Sequence, residues 1–333
     1  MFAAIRAIEY HLPERTLTNQ ELSALFPDWS AAKISDKTGI DVRHIAAPDE
    51  CASDLAAAAA RKLFDTGVCP PSTIDYLLFC TQSPDYILPP TACVLQQRLD
   101  LPITAGALDF NLGCSGFVYG LSLARALIES QQAAHVLLLT ADTLTRYLHP
   151  QDRGNRSLLG DAGAATLVQA SQNPGEAIGA FTFGTDGMGH DHIIIRNGRA
   201  RHPSSSARPD AALPSPDHFF MNGPEVFSFT LRAVPKAIAS ALARARISME
   251  EVDLFVFHQA NGFILENLRA KLGIPREKFV FALRESGNTS SSTIPIALKD
   301  ARMSGQLKPG MRVMLVGFGV GYSWAATVMR VGD

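Results

Sequence analysis

One cysteine stands in a sequence context suited to nucleophilic chemistry. Cys114 lies in NLGCSGF, between two glycines and immediately before a helix-compatible run at residues 118–128. The glycines permit a tight turn from a strand into a helix, and the free N–H groups and dipole at a helix N-terminus favour a thiolate. This context predicts a thiol with a lowered pKa that can take an acyl group from a thioester.

The remaining cysteines show no pattern of their own. They are odd in total number and have no CxxC or metal-ligand spacing, so we expect no metal site and a reducing, cytoplasmic location. Free cysteines usually serve as small hydrophobic residues. We interpret four of the five in that way: Cys51, Cys69, Cys80 and Cys93.

Two polar residues follow apolar segments and are candidates to assist the thiol. His258 ends the apolar run at residues 254–257, and the carboxyl end of a central strand is where α/β proteins place their binding crevices. Asn288, in SGNTS, could by itself be a helix N-cap, and it is a candidate because an internal repeat of the chain pairs it with Cys114. A thiolate with neutral donors that hold developing negative charge matches nucleophilic acyl transfer.

A glycine-rich turn, FGVGYSW at residues 318–324, could expose a backbone N–H to an oxyanion. It is a poor phosphate loop because it lacks GxGxxG and the Walker lysine. The GCSGF segment likewise fails the serine-hydrolase spacing, since Phe117 occupies the last glycine position.

The elements that must position these residues have the pattern of a layered α/β protein. Short apolar runs bounded by Gly, Pro, Asn and Asp alternate with longer Ala- and Leu-rich stretches. Some runs, such as residues 76–79 and 136–139, are continuously apolar, which is typical of central strands covered on both faces.

The chain also repeats itself. Three pairs of segments recur in the same order at similar spacing: 74–80 with 252–258, 108–114 with 283–288, and 135–140 with 312–316. One such pair could arise in any two βαβ units, but three in order predict a duplicated unit. Its halves would pack about a pseudo-twofold axis and bring Cys114, His258 and Asn288 toward a common centre.

We place the halves at residues 1–172 and 173–333, with a loop insertion at about 196–217 that is dense in Pro, Ser, Ala and Arg. That loop could equally be a lid or a tolerated insertion.

Composition excludes several classes of protein. Hydrophobic residues make up 47% and charged residues 19%, the balance of a folded chain. A net charge of −2 argues against a protein built mainly to hold nucleic acid. The apolar stretch at the N-terminus contains Arg6 and Glu9, so neither a signal peptide nor a membrane span is predicted.

The motifs, taken in order, resemble the 3-oxoacyl-(acyl-carrier-protein) synthase III family of the thiolase superfamily. They are KTGI, RHIAAP, CSGF, DRG followed by LLGDAGAA, MNGPEVF, FHQAN, GNTS and the FGxG turn with Trp324. The resemblance spans almost the entire chain. It implies a thiolase-like fold, with duplicated βαβ halves packed as a five-layered α-β-α-β-α core, and a homodimer.

The resemblance also implies the reaction. An acyl-CoA primer would acylate Cys114, and malonyl-ACP (or malonyl-CoA) would lose CO2 to give an enolate that attacks the Cys114 thioester. His258 and Asn288 would stabilise the enolate, and the backbone N–H groups of Cys114 and Val320 would form the oxyanion hole. The resemblance implies no cofactor and no metal. It implies acyl-CoA as a substrate and the acyl carrier protein as a partner.

Substrate binding is implied at five further positions. Arg153, Phe227 and Asn261 would line the pantetheine and CoA channel, and Trp29 would contact the CoA adenine. Leu88 stands where short-chain members carry a Phe that bounds the acyl pocket, so we expect a primer longer than acetyl.

The sequence departs from the family at its basic docking patch and leaves alternatives open. Phe263 occupies the position after HQAN where many members have an Arg, and Ser228 and Ala270 replace expected lysines. The leading interpretation is a condensing enzyme that initiates fatty-acid synthesis. These departures and Leu88 are reasons to weigh its alternative, a related ketosynthase or acyltransferase of a specialised pathway, such as a polyketide, alkylquinolone or resorcinol type. A non-catalytic partner subunit of a heteromeric ketosynthase is the alternative from another class, and the intact Cys, His and Asn argue against it.

Overall fold

A computed structural model describes residues 1–203 and 213–332 of the chain. The strands in these residues are β1 (Phe2–His11), β2 (Thr16–Thr18), β3 (Val42–His44), β4 (Tyr76–Cys80), β5 (Gly106–Phe110), β6 (His135–Asp142), β7 (Ala162–Ser171), β8 (Ile178–Thr185), β9 (Ile193–Ile194), β10 (Phe220–Met221), β11 (Leu254–Phe257), β12 (Arg312–Gly319) and β13 (Ser323–Arg330). The α-helices are α1 (Asn19–Leu25), α2 (Ala31–Thr38), α3 (Ala52–Asp65), α4 (Thr91–Arg98), α5 (Gly116–Glu129), α6 (Arg153–Arg156), α7 (Gly223–Ala245), α8 (Gly262–Lys271) and α9 (Thr293–Met303). The predicted loop at 196–217 lies partly outside the described residues.

The first large sheet has the strand order β1-β7-β6-β4-β5. Strand β4 pairs in parallel with both β5 and β6, whereas β6 with β7 and β7 with β1 are antiparallel. The apolar runs predicted to be central strands are β4 and β6, which are paired on both edges and buried.

The second sheet repeats this arrangement in the order β11-β12-β13-β8. Strands β11 and β12 are parallel, and the β12–β13 and β13–β8 pairs are antiparallel. Phe279 forms a parallel bridge to Phe255 of β11, at the position that β5 occupies beside β4. The predicted duplication is therefore present in the strand pairing.

One of the three predicted segment pairs is out of register. The sheet matches β5 with the segment at Phe279, not with residues 283–288. Residues 284–286 form a turn and Gly287 has a φ of 72°, a backbone conformation that cannot continue a strand. The other two pairs correspond to β4 with β11 and β6 with β12.

Side chains on alternate faces of the central strands divide the core into separate layers. On β4, Leu78 packs with α5 and α9 between the two sheets, while Leu77 and Phe79 pack outward with α3 and α4. On β11, Val256 faces the same central layer and Phe257 packs outward with α7 and α8. The layers are thus α3/α4, the first sheet, α5/α9, the second sheet and α7/α8, which is the expected five-layered core.

Helix α7 is long and apolar enough to cross a membrane by length and composition alone. It packs instead on the second sheet: its residues Phe229, Val234, Ile238 and Ala241 belong to the outer core layer. An apolar helix of this kind is explained by burial inside the protein.

Along the chain, the last strand of the first sheet is β7, which ends at Ser171. The next strand, β8, begins at Ile178 and belongs to the second sheet. The change of sheet thus falls close to the predicted boundary between the halves. Because α5 of the first half and α9 of the second share one central layer, the turns that precede these two helices come close together.

Candidate active site

The thiol of Cys114 lies in the turn between β5 and α5, two residues before the helix begins at Gly116. The strand β12 approaches this turn closely from the other half of the chain. A Cβ added to Gly319 would lie 2.7 Å from both Cβ and Sγ of Cys114, and one added to Gly317 would lie 2.7 Å from the Cα of Ser115. Glycine is required at these positions because the backbone itself touches the nucleophile turn.

Burial raises the pKa of the Cys114 thiol to about 11, and the charge of Asp142 adds to this effect. The backbone N–H groups of Val320 and Cys114 and the hydroxyl of Ser290 act in the opposite direction. The prediction of a lowered pKa is therefore wrong, because the loss of water around the thiol outweighs these donors. The thiol must lose its proton during the attack itself.

His258 follows β11, where its backbone N–H donates to the carbonyl of Val316 at 2.8 Å. Its ring is buried, contacts Phe318 edge-on, and has Nδ1 2.7 Å from the hydroxyl of Thr293. Burial lowers the pKa of His258 to about 3, with the Ser290 carbonyl opposing the shift. The imidazole is therefore neutral at physiological pH and can accept or donate one proton at Nε2.

Asn288 lies in the turn before α9. Its Oδ1 accepts a hydrogen bond from the backbone N–H of Ser290 at 3.0 Å, and its own N–H donates to the Leu158 carbonyl at 2.8 Å. The alternative role as a helix N-cap is wrong, since α9 begins at Thr293 with Ser292 as its N-cap. With Oδ1 engaged, Nδ2 is the donor that the side chain presents.

Cys114, His258 and Asn288 line a single cavity of about 500 Å³, so the structure brings the three predicted residues together. Phe227 and Asn261, predicted for the pantetheine channel, line the same cavity. Asn261 also caps α8, because its Oδ1 accepts from the N–H of Ile264 at 2.8 Å. Phe263, the residue that replaces an expected Arg, is exposed and packs against Phe227 with ring centroids 5.3 Å apart.

Trp29 and Arg153 lie together, but not in that cavity. The guanidinium carbon of Arg153 is 5.5 Å from the ring centroid of Trp29, and the same guanidinium forms an ion pair with Asp28. The two side chains form a partly exposed planar surface against which an aromatic ring could stack.

Two other predicted residues are not among those that line the cavity of the thiol. Leu88 is 79% exposed and lines no cavity described in the isolated chain, so a bounding role in an acyl pocket is not present within one copy. Val320 borders a second cavity of about 320 Å³, although its backbone N–H contacts the Cys114 sulfur as predicted.

Sequence reasoning missed two residues that contact this site. Asp142 lies at the end of β6 and is buried, and burial raises its pKa to about 6. Its carboxylate accepts hydrogen bonds from the N–H of Gln82 at 2.7 Å and from the hydroxyl of Ser291 at 2.8 Å. Thr293 contacts His258. A signal was available for Asp142, since it ends a buried strand as His258 does, whereas Thr293 carries no distinguishing signal.

Within residues 1–203 and 213–332, no group of three or more His, Cys, Asp or Glu side chains could hold a metal ion. All five cysteines, which lie in this part of the chain, are free.

Comparison with known proteins gives a consistent match. The family described as 3-oxoacyl-[acyl-carrier-protein (ACP)] synthase III matches residues 108–187, and the C-terminal family of the same description matches residues 242–331. The chain is 34% identical over 328 residues to a beta-ketoacyl-[acyl-carrier-protein] synthase III from Caldanaerobacter subterraneus, covering 98% of this chain and 97% of that protein.

Two solved structures show the same similarity. A 3-oxoacyl-(acyl-carrier-protein) synthase III is 51% identical with a TM-score of 0.97, over 99% of this chain and 100% of that one. A 3-oxoacyl-(acyl-carrier protein) synthase from Burkholderia xenovorans is 36% identical with a TM-score of 0.92, over 100% and 95% of the two chains.

Proposed function

The chain belongs to the 3-oxoacyl-(acyl-carrier-protein) synthase III family, and from this membership we propose that it condenses an acyl-CoA primer with malonyl-ACP to initiate fatty-acid synthesis. The observation that carries the proposal is the cavity in which Cys114, His258 and Asn288 meet beside the backbone N–H of Val320. It joins a nucleophile, neutral hydrogen-bonding groups and an oxyanion site.

The first step is acylation of Cys114. Its sulfur attacks the thioester carbonyl of the primer, the bond from that carbon to the CoA sulfur breaks, and the thiol proton passes to the departing CoA thiolate. His258 is neutral and buried in the same cavity, so its Nε2 is available to relay that proton. The N–H groups of Cys114 and Val320, which face the sulfur, hold the oxyanion of the tetrahedral intermediate.

The second step joins two carbons. Malonyl-ACP loses CO2, and the electron pair of the broken bond forms an enolate whose oxygen accepts hydrogen bonds from His258 Nε2 and Asn288 Nδ2. The enolate carbon attacks the acyl-Cys114 carbonyl, and the Cys114 thiolate leaves to give 3-oxoacyl-ACP. Neutral donors suit this step because they stabilise an oxyanion without protonating it. The chemistry needs no metal or cofactor, since loss of CO2 generates the carbanion.

Pantetheine reaches the thiol through the cavity lined by Phe227, Asn261 and Phe263, and the Trp29–Arg153 surface stacks on the adenine of CoA. The second cavity, bordered by Val320, holds the acyl chain and supports a primer longer than acetyl, because its volume is about 320 Å³.

We also propose a homodimer that forms along β5. This strand lies at one edge of the first sheet, and its residue Leu108 is 41% exposed. Ile103, three residues before β5, is 96% exposed, and Ile87 and Leu88, between β4 and α4, are each 79% exposed. An open edge with exposed apolar residues is a surface that a second copy would cover. Within a cell, we place this dimer in the reducing cytoplasm, with acyl-CoA and the acyl carrier protein as partners and no role for nucleic acid or membrane.

The test is acylation measured by intact-protein mass after incubation with a mixture of acyl-CoAs, followed by peptide mapping. We expect one acyl adduct on Cys114, its loss in Cys114→Ala, and its retention in Cys93→Ala, a matched control at an exposed thiol. Absence of any adduct on Cys114 would instead favour the non-catalytic partner subunit.

Asn288→Ala separates condensation from simple acyl transfer. Because Asn288 acts on the enolate, this variant should still acylate Cys114 while release of CO2 from malonyl-ACP falls about a hundredfold or more. Equal losses in both steps would contradict the role assigned to Asn288.

A further inference from the structure

The second cavity begins within one contact of the nucleophile. Val320, whose N–H points to the Cys114 sulfur, lines it, and so does Gln82. Gln82 Oε1 accepts from the Ser290 hydroxyl at 3.4 Å, and that hydroxyl in turn contacts the Cys114 thiol. Part of this cavity therefore lies next to the nucleophile, as the proposed acyl site requires.

The walls of this cavity are partly apolar and partly polar. Leu144, Phe219 and the isoleucines at 193–195 supply apolar surface, as an aliphatic chain requires. Asn197, Arg199 and Asp217 also line the cavity and add polar groups. Asn197 Nδ2 donates to Asp217 Oδ1 at 2.8 Å, so part of this polar surface is already fixed in place.

Among the residues that the structure describes, the polar groups of this lining comprise both donors and acceptors, and their formal charges cancel. Arg199 is cationic and Asp217 is anionic, while the amides of Gln82 and Asn197 offer one donor and one acceptor group each. A purely aliphatic chain would desolvate these groups without replacing their hydrogen bonds, which costs free energy. A carboxylate would be attracted by Arg199 but repelled by Asp217, so it gains no net advantage from this pair.

From this lining, and resting on the proposed function, we propose that the preferred primer is an acyl chain that carries a neutral hydrogen-bonding group, such as a hydroxyl, within reach of Asn197 and Asp217. The cavity volume of about 320 Å³ limits its length. At roughly 30 Å³ for each water-sized group, the space holds about ten non-hydrogen atoms.

The experiment compares three acyl-CoAs of similar length by the rate at which they acylate Cys114 in the intact protein. They are heptanoyl-CoA, 6-hydroxyhexanoyl-CoA, which has the same number of non-hydrogen atoms in its acyl group, and adipoyl-CoA, which ends in a carboxylate. One recovered hydrogen bond is worth about fivefold in kcat/KM, so the hydroxyl chain should exceed heptanoyl by at least that factor. A heptanoyl rate equal to or above the hydroxyacyl rate overturns the proposal, and so does a preference for adipoyl-CoA.

A substitution at Asn197 tests whether this residue discriminates between the primers. Asn197→Leu should bring the two neutral rates to within about twofold of each other and leave the heptanoyl rate no lower. Gln172→Leu, which removes an exposed amide that lines neither cavity, is the matched control and should keep the wild-type ratio. An unchanged ratio in Asn197→Leu would contradict recognition by this residue. If none of the acyl-CoAs labelled Cys114, the proposed function itself would fail, which is a different result from loss of selectivity.

Discussion

At the scale of single residues, the Cys114 sulfur sits in surroundings that oppose its ionisation. Its pKa is raised to about 11 by burial, although two backbone N–H groups point at it. These donors therefore do not produce a resting thiolate. They are already oriented toward the place where an oxyanion forms, and this orientation lowers the reorganisation needed in the transition state.

The pH dependence of Cys114 alkylation follows from this pKa. Between about pH 7 and pH 9 the thiolate fraction should rise about tenfold per pH unit, because the whole range lies below the pKa. We expect the rate of carbamidomethylation by iodoacetamide, followed by peptide mass in a Cys93→Ala background, to rise with the same slope. A plateau beginning near pH 8 would show that the thiol ionises more easily than burial allows.

Asp142→Asn tests the second cause of the raised pKa. The charge of Asp142 disfavours the Cys114 thiolate, and the asparagine oxygen can still accept from the N–H of Gln82. Alkylation above about pH 7 should therefore accelerate severalfold. Since the pKa of Asp142 is about 6, the wild-type carboxyl is protonated well below that pH, and the two proteins should then react at the same rate. A constant ratio at all pH values would exclude the charge as the cause.

Thr293 controls which nitrogen of His258 carries the proton. Its hydroxyl lies 2.7 Å from Nδ1 and 3.0 Å from the Ser290 carbonyl, and it has only one hydrogen to donate. When the hydroxyl donates to Ser290, Nδ1 carries the imidazole proton and Nε2 can accept one from the thiol. When it donates to Nδ1, Nε2 carries the proton and can donate to the enolate.

Thr293→Val removes the hydroxyl that can donate to Nδ1 and should therefore favour the first arrangement, since the Ser290 carbonyl near the ring can accept a proton but cannot supply one. We expect single-turnover acylation of Cys114 to stay within about threefold of wild type, and CO2 release from malonyl-ACP to fall by about tenfold or more. Thr293→Ser keeps the hydroxyl and should restore both steps. Parallel losses in the valine variant would indicate a role in packing only.

Cys114 is recognisable from its glycine-flanked turn before a helix, His258 from its place at the end of an apolar run, and Asn288 from the repeat that pairs it with Cys114. The direction of the Cys114 pKa shift was not accessible. It depends on burial and on Asp142, a residue of β6 that reaches the nucleophile turn only through the tertiary fold. Thr293 is likewise linked to His258 across 35 positions in the chain.

At the scale of elements, the site depends on how closely β12 approaches the turn before α5. The sequence predicted a glycine-rich turn after the last apolar strand, but it could not show that Gly317 and Gly319 touch the nucleophile turn of the other half. For the same reason the register of residues 283–288 was mispredicted, since only the bridge between Phe255 and Phe279 defines it.

Gly319→Ala is the direct test of this approach. A Cβ there would lie 2.7 Å from Cys114 Cβ and Sγ, so the turn must shift and the sulfur would leave the N–H of Val320. We expect acylation of Cys114 to fall by about a hundredfold or more. Gly187→Ala is the matched control, because a Cβ at Gly187 meets nothing within 4 Å. Thermal unfolding of both variants shows whether the fold persists, and full acylation by folded Gly319→Ala would contradict the proposed contact.

At the scale of the whole molecule, the pseudo-twofold duplication leaves the two sheets with different edges. In the first sheet, β5 lies beside β4. The equivalent neighbour of β11 in the second sheet is only a single bridge at Phe279, which is buried. In the first sheet that position is a five-residue strand, Gly106–Phe110, which no described strand pairs on its outer side. The asymmetry therefore exposes one strand edge, and this is the edge that a second copy can extend.

Leu108→Arg should convert the proposed dimer into monomers. The side chain is 41% exposed on β5, and an arginine there would bring a like charge from each copy to the strand pair that joins them. Sedimentation velocity should show a dissociation constant raised about a hundredfold. Ile103→Arg gives the same test at a 96% exposed position outside the sheet, with less risk to folding. Met303→Arg, at a 72% exposed position on α9, is the control that should remain dimeric.

Because Asn111 follows β5 directly and lines the second cavity, monomers should also acylate Cys114 with less discrimination among primers. A wild-type protein that sediments as a monomer, or dimers that survive both arginine substitutions, would place any subunit contact elsewhere on the molecule.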